Sequence, residues 1–472
     1  MEAKLAQVSE AMKRSDFESL RQFALDFSTT VTRPLGHPFN GVITQCKSSL
    51  IEGMDNILFF SDDKGDNRWL LVQRENVIDA VVSESRIKYL VNENTKSDIQ
   101  KRLNDGSLNH HFSNQKIFGG YVLSSTRPYH YFYDQLINLD ILSGERVKVS
   151  HAPDCFLLAK HLSPSYGDLI ADPGKFYLYP TIMGGMWRAV SQNVSFYSAC
   201  RRMERQIAQS IAPDRKRASF TLWFAVVGQK RSWLEQVHGA VSLIDTLAKR
   251  YSQVHVIVDG LTASEGARSR FPEEEYLADE IRARVAGNTT VRSVIGEDYP
   301  TKIALCQNAD LAITDTGTGS MVPVRFCGIP TVMHGPAKID AFANDPETRA
   351  NVRWVREVID APHPDFPRDD FTSYHLHWQR IFNMLREVLP ELKDKFDPIA
   401  VPSGPAWQDD FETMTRMHEM LREGICVADV LLFLSSFFQK NRHVSQALAR
   451  EAVIHRQGTN RDAISFLNKL RQ

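Results

Sequence analysis

The sequence predicts an α/β protein of two lobes followed by a helical C-terminal region, spanning residues 1–212, 218–360 and 361–472. The chain has 472 residues, more than one ordinary core organises. Hydrophobic residues make up 43% and charged residues 24%, the balance of a chain with cores to bury. From Phe220 onward, short apolar runs alternate regularly with stretches of helical period.

In the first lobe, residues 2–27 carry Leu5, Val8, Met12, Leu20, Phe23 and Phe27 at near-helical spacing. Apolar stretches at 57–60, 69–72, 77–82, 121–124, 155–158 and 176–179 read as strands, and 130–142 and 196–211 as helices. The charged, proline-containing segment 212–217 marks the lobe boundary. The second lobe then alternates: strands at 220–227, 254–259, 291–295, 311–314 and 330–333, with helices at 233–249, 273–285, 300–307 and 320–327 between them. Leu234, Val237, Val241, Ile244 and Leu247 share one helical face, as do Leu277, Ile281 and Val285. The strands are continuous apolar runs, the pattern of a parallel sheet covered on both faces, so this lobe is expected to be doubly wound with ligands at the carboxyl ends of its strands. Helices are expected beyond Asp360 at 374–388, 407–421, 427–438 and 444–470.

Lys plus Arg (56) nearly equals Asp plus Glu (57), so no global field points to nucleic acid. The six cysteines form no CxxC pair, which indicates neither a zinc site nor a disulfide framework. The polar N-terminus lacks the apolar core of a secretion signal, so a cytoplasmic location is expected. The run 427–438, interrupted by Asp429 and two serines, is too short to span a bilayer; with Lys440 and Arg442 it is either a peripheral membrane contact or a buried core helix.

The loop Asp315, Thr316, Gly317, Thr318, Gly319, Ser320 follows a buried strand, and small residues there let main-chain N–H groups approach an anion such as a diphosphate. The competing assignment is a tight turn capped by Thr318 or Ser320. Gly228, Lys230 and Arg231 end the first strand of the same sheet and place two cations at the head of its first helix, either for phosphate or as a solvated turn. Asp259 ends the second strand, but no GxGxxG follows the first, which argues against a nicotinamide enzyme. No metal is expected: no Asp-x-Asp follows a strand, Asp62/Asp63 and Asp369/Asp370 sit in loop-like surroundings, and His375 and His377 diverge on the expected helix.

The succession of strand, basic loop and helix, then ADLAITDTGTGS and GIPTV, over about 219–335, resembles the donor half of GT-B glycosyltransferases, heptosyltransferase-like enzymes included. The segment Tyr129, His130, Tyr131, Phe132, Tyr133, Asp134 resembles the His-aromatic-Asp segment of family 61 glycosyltransferases, without the fuller glycine and asparagine loop of that family. The GT-B resemblance implies two Rossmann-like lobes and transfer of a sugar from a nucleotide-sugar, a substrate and not a cofactor, to a glycan or lipid-linked hydroxyl. His130 or Asp134 is then the candidate base, Glu297 a ribose ligand, and His334 a residue lining the site. A nucleotide-sugar epimerase and a noncatalytic nucleotide-sugar-binding scaffold are the alternatives.

Overall fold

The computed structural model describes residues 16–74, 77–90, 98–113, 115–124, 127–142, 148–180, 194–215, 218–228, 230–336, 346–361 and 371–402, together with positions 7, 10, 11 and 14. These form two compact units. The first comprises the chain up to Ala212 with the short segments Ala263–Ala267 and Asp298–Pro300; the second comprises the rest.

The first unit opens on helix α1 (Phe17–Val31), capped by Asp16, whose carboxylate accepts the Ser19 N–H. Six strands follow: β1 (Leu35–Gly36), β2 (Ile43–Glu52), β3 (Asp55–Ser61), β4 (Trp69–Arg74), β5 (Val77–Ser83) and β6 (Ile87–Tyr89). They form an antiparallel meander in sequence order. Helices α2 (Asp98–Asn104) and α3 (His110–Ser113) cover one face, burying Ile57, Phe59, Leu70 and Val72 against Ile99, Leu103 and Phe112. A separate three-stranded parallel sheet has the order β8 (Val149–His151), β7 (Ile117–Leu123), β9 (Lys175–Leu178). Buried amides tie β9 to the meander: Asn56 Nδ2 donates to the Tyr177 carbonyl at 2.9 Å, and Gln73 Oε1 accepts the Tyr179 N–H at 2.9 Å. The largest sheet of this unit is therefore antiparallel, where a Rossmann-like lobe requires a parallel one. The expected strand at 155–158 is instead a turn leading into a 3-10 helix at Ala159–His161. The unit ends on α4 (Val194–Ser210).

The second unit alternates β10 (Phe220–Ala225), α5 (Gln236–Ala248), β11 (Val254–Asp259), α6 (Pro272–Arg284), β12 (Thr289–Ser293), α7 (Tyr299–Cys306), β13 (Leu311–Asp315), β14 (Thr331–His334), α8 (Pro346–Asn351) and β15 (Val352–Val355). All neighbouring strands pair in parallel, in the order β12-β11-β10-β13-β14-β15. The chain builds outward from β10 in one direction, returns, and builds outward in the other, which creates a topological switch point between β10 and β13. Helix α6 begins with Pro272 and three glutamates and ends with Arg282 and Arg284, charges that complement its dipole.

Two sequence expectations need correction here. The buried face of α5 is Gly239, Ala240, Leu243, Ile244 and Leu247, while Val237 and Val241 are half-buried and Leu234 precedes the helix. Close approach to the sheet selects small residues that an apolar pattern does not register. The helix expected at 320–327 is a 3-10 turn (Thr318–Ser320) followed by a π-helical turn (Met321–Phe326).

The helix expected from Tyr374 begins at Trp378. Before it, β16 (Ile359–Ala361) pairs antiparallel with β17 (Ser373–His375). The Tyr374 N–H donates to the Ser232 carbonyl and its carbonyl accepts the Leu234 N–H, so main-chain pairing with the loop after β10 overrides local helical spacing. Helices α9 (Trp378–Val388) and α10 (Glu391–Lys395) follow. Ile381, Phe382 and Leu385 join Leu243, Ile244, Leu277 and Ile281 in one cluster beneath the sheet. At about 1.5–3 kcal/mol for each large apolar side chain, α9 contributes substantially to that core. The expected helices at 407–421, 427–438 and 444–470, with Lys440 and Arg442, lie outside the described residues, as do Asp369 and Asp370. No helix of the described residues is long and apolar enough to cross a membrane.

Gly239 underlies the buried Trp233 ring, whose Nε1 donates to the Leu376 carbonyl at 2.8 Å; a Cβ at 239 would overlap the ring's Cη2 and Cζ2. Gly239→Ala is expected to lower stability by about 1–3 kcal/mol through overpacking, exceeding the ~1 kcal/mol that alanine contributes to helix propensity. A urea midpoint equal to or above that of the parent would show that the ring has room to move.

Candidate functional site

The carboxyl ends of β10, β13 and β14 bring together most of the residues singled out in the second unit. The loop after β13 wraps around a carboxylate. Asp315 is buried, and its Oδ2 accepts the Gly317 N–H at 2.7 Å. A Cβ on Gly317 would overlap Asp315 Oδ2, and one on Gly319 would come 2.5 Å from Oδ1, so these glycines are needed for close approach to the carboxylate. Thr316 donates its N–H to the His334 carbonyl at 3.0 Å, joining the ends of β13 and β14. Ser320 Oγ donates to the Gly317 carbonyl at 2.7 Å and closes the 3-10 turn begun by Thr318.

Arg231 comes into this loop from β10. A Cβ on Gly317 would lie 2.9 Å from its Nη2, so the guanidinium packs directly on the glycine loop. Its charge opposes the effect of burial on Asp315, which pushes the carboxyl upward. The loop cation expected to face phosphate is thus held beside a carboxylate. Arg231 adopts φ 56°, a left-handed conformation that costs a non-glycine residue about 1–2 kcal/mol. Lys230 lies 4.7 Å from the Phe371 ring centroid in a cation–π contact. His334 is buried, and burial pushes it down to about 3; the neutral ring's Nδ1 lies 2.7 Å from the Tyr374 hydroxyl. Among the described residues, Asp315 Oδ1, Thr316 Oγ1, His334 Nε2 and Arg231 Nε have no hydrogen-bond partner. Four buried polar atoms without a protein partner thus cluster at one switch point, the place where open α/β sheets bind ligands.

Two residues fall elsewhere. Glu297 follows β12, at the outer edge of the sheet, and pairs with Arg268 at 3.4 Å. At ~4.8 Å per strand, β12 stands roughly 14 Å from β13, so the structure does not bring Glu297 to the glycine loop. The Gly228 N–H points at Glu274 Oε1, 3.4 Å away. This places a carboxylate of the protein where the sequence suggests phosphate.

Two charged residues escape the sequence reading. Lys302 is fully buried, 2.7 Å from Asp259 Oδ1, and its Nζ also donates to the Gly260 and Leu261 carbonyls and Thr262 Oγ1 at 2.8–3.0 Å. Asp259, at the position of a ribose-binding acid, is therefore held by an internal cation. Glu274, 3% exposed, accepts the Leu261 N–H at 2.6 Å, and burial pushes it up to about 7. A signal exists for both: Lys302 precedes the buried Ile303 and Cys306, and Glu274 lies one turn before Leu277 and Ala278, so both fall on inward faces.

In the first unit, His130 and Asp134 stand one helical turn apart, where 3-10-like and α-helical bonding gives way to a π-helical turn (Tyr131–Leu136). His130 Nδ1 lies 2.6 Å from Asp134 Oδ2. Asp134 is buried, His130 is 15% exposed, and Asn138 Nδ2 anchors the Asp134 carbonyl at 2.5 Å. The two candidate bases thus form one hydrogen-bonded pair, with the carboxylate placed to orient the imidazole. His375, expected to diverge from His377 on a helix, lies instead in β17 and bonds Glu235 Oε1 at 2.5 Å; both are buried.

No protein-family model and no curated protein matches the chain. Among solved structures it is similar to the glycotransferase of kitacinnamycin, at 14% identity and TM-score 0.25, over 61% of this chain and 83% of that one. It is similar to the pneumococcal O-GlcNAc transferase GtfA, solved in complex with UDP and GlcNAc, at 8% identity and TM-score 0.22, over 72% of this chain and 60% of that one. A third is TarM, at 9% identity and TM-score 0.23, over 82% of each chain. These solved structures are glycosyltransferases. At such TM-scores the likeness decides neither the fold nor the activity of this chain.

The raised Glu274 acid has a defined consequence for stability. Its folded form holds the proton more tightly than the unfolded chain, so this contribution is complete below the ordinary value of 4.5 and is lost as pH rises through about 7. Between pH 5 and 8 the parent is expected to lose up to about 3 kcal/mol relative to Glu274→Gln, which does not titrate. Guanidinium unfolding of both proteins at the two pH values checks this; parallel pH dependence would count against it.

Proposed function

We propose that the chain is a glycosyltransferase that moves a sugar from a nucleotide-sugar to a hydroxyl of a glycan or lipid-linked acceptor without a metal ion. The observation that carries this reading is the switch point between β10 and β13, where a basic loop and a glycine loop meet around buried polar atoms without partners among the described residues. Open α/β sheets bind nucleotides at such a point. Lys230 and Arg231 supply positive charge for a departing diphosphate. Thr316 and His334 supply neutral hydrogen-bonding groups beside it. His130, paired with Asp134 in the first unit, is the candidate base for the acceptor hydroxyl.

Donor binding and proton transfer are separable by mutation. Calorimetry with a panel of nucleoside diphosphates and nucleotide-sugars is expected to find one nucleotide class bound by the intact chain, about tenfold more weakly by Lys230→Ala and by Thr316→Val, a loss of ~1.4 kcal/mol each. His130→Gln is expected to bind the donor unchanged while transfer falls by about 10²–10⁴. Absence of binding across the whole panel would sink the donor reading; unchanged transfer by His130→Gln would remove His130 as the base.

A further inference from the structure

The loop after β11 is gripped from two sides. Lys302 Nζ binds its carbonyls at Gly260 and Leu261, and Glu274 accepts its N–H at Leu261. The other oxygen of Glu274 faces the Gly228 N–H in the loop after β10. One carboxylate thus spans the carboxyl ends of two adjacent strands. The fit is close: a Cβ on Gly228 would lie 3.0 Å from Glu274 Cγ, and one on Gly260 would overlap Glu274 Oε2. Glycine at both positions lets the side chain lie between the loops.

We propose that Glu274 is a positioning residue for the donor site, holding the β10 loop that carries Lys230 and Arg231 in its binding conformation through the main-chain N–H groups of Gly228 and Leu261. This rests on the donor reading above. A buried carboxylate costs free energy unless donors meet it, and here both donors are main-chain N–H groups of the two strand-end loops. Charged groups around it come from each packed element: Asp259 of β11, Lys302 of α7 and Glu273 beside it on α6. Asp259 and burial favour the neutral acid, while Lys302 and the two N–H donors favour the carboxylate, so its ionisation falls near neutrality. Because the closed loops bury the acid and hold its proton, protonation below about 7 keeps them together and ionisation above it loosens them.

The test uses the full chain, Glu274→Gln and Glu274→Ala. Hydrogen exchange is expected to speed up by about tenfold at the amides of residues 226–228 and 260–262 in Glu274→Ala, with Glu274→Gln restoring most of the protection. Binding of the nucleotide-sugar selected by the panel, a phosphodiester that does not titrate near neutrality, is expected to weaken severalfold from pH 6 to pH 8 in the parent, together with faster loop exchange after correction for intrinsic rates, and to stay flat in Glu274→Gln. Unchanged loop exchange in Glu274→Ala overturns the proposal. Tighter binding at pH 8 overturns it as well, and so does weaker binding at pH 8 without faster loop exchange, since repulsion of the donor by the carboxylate would then account for the profile. If Glu274→Ala fails to fold, the parent and Glu274→Gln pH profiles decide, identical profiles overturning the proposal. Lack of binding by the intact parent at every pH overturns the donor reading instead, which a change in loop exchange distinguishes from failure of the positioning itself.

Discussion

The carboxylate of Asp315 at the end of β13 is the constraint on which the site in the second unit depends. It is buried, so it requires donors and a nearby cation; the loop supplies the Gly317 N–H, and β10 supplies Arg231. Both adjustments have local costs. Two glycines are needed where the chain closes around the oxygens, and Arg231 takes a left-handed conformation to reach them. Strain of this kind persists where surrounding structure enforces it, here the parallel pairing that sets β10 beside β13.

On the other side of β10 a second charged system does comparable work. Lys302 and Asp259 form a buried pair whose spare donors bind loop carbonyls, and Glu274 binds loop amides. The main-chain polar groups of the Gly260–Thr262 turn are thereby met inside the protein. Removing one member of such a pair leaves the other buried and uncompensated, typically a loss of 3–5 kcal/mol. The carboxyl ends of β10 and β11 are consequently held by side chains, where many nucleotide-binding sheets use glycine-rich main chain alone.

The segment at β17 completes the frame. Tyr374 pairs through its main chain with the β10 loop, its hydroxyl reaches His334 at the end of β14, and His375 bonds Glu235. Two strand ends, those of β10 and β14, are thus tied through a short piece of chain distant from them in sequence. Trp233, set on Gly239 and bonded to Leu376, fixes the same loop from beneath.

Composition and apolar periodicity alone determined the α/β class of the second unit and the approximate position of each strand from β10 to β14, because a parallel sheet buried on both faces leaves continuous apolar runs in the chain. The same reading located Lys230, Arg231 and the 315–320 loop at strand ends. Strand β15 and the strand at Ser373–His375 were decided by pairing partners outside any local window, and the meander of the first unit by the antiparallel sense of its hairpins, which apolar runs alone do not carry. The pairing of Arg231 with Asp315, of Lys302 with Asp259, and the approach of Glu274 to Gly228 were likewise tertiary outcomes. A charge in a sequence has a sign and a place on an element, but the group it faces is selected only when strands from distant segments align and exclude water between them.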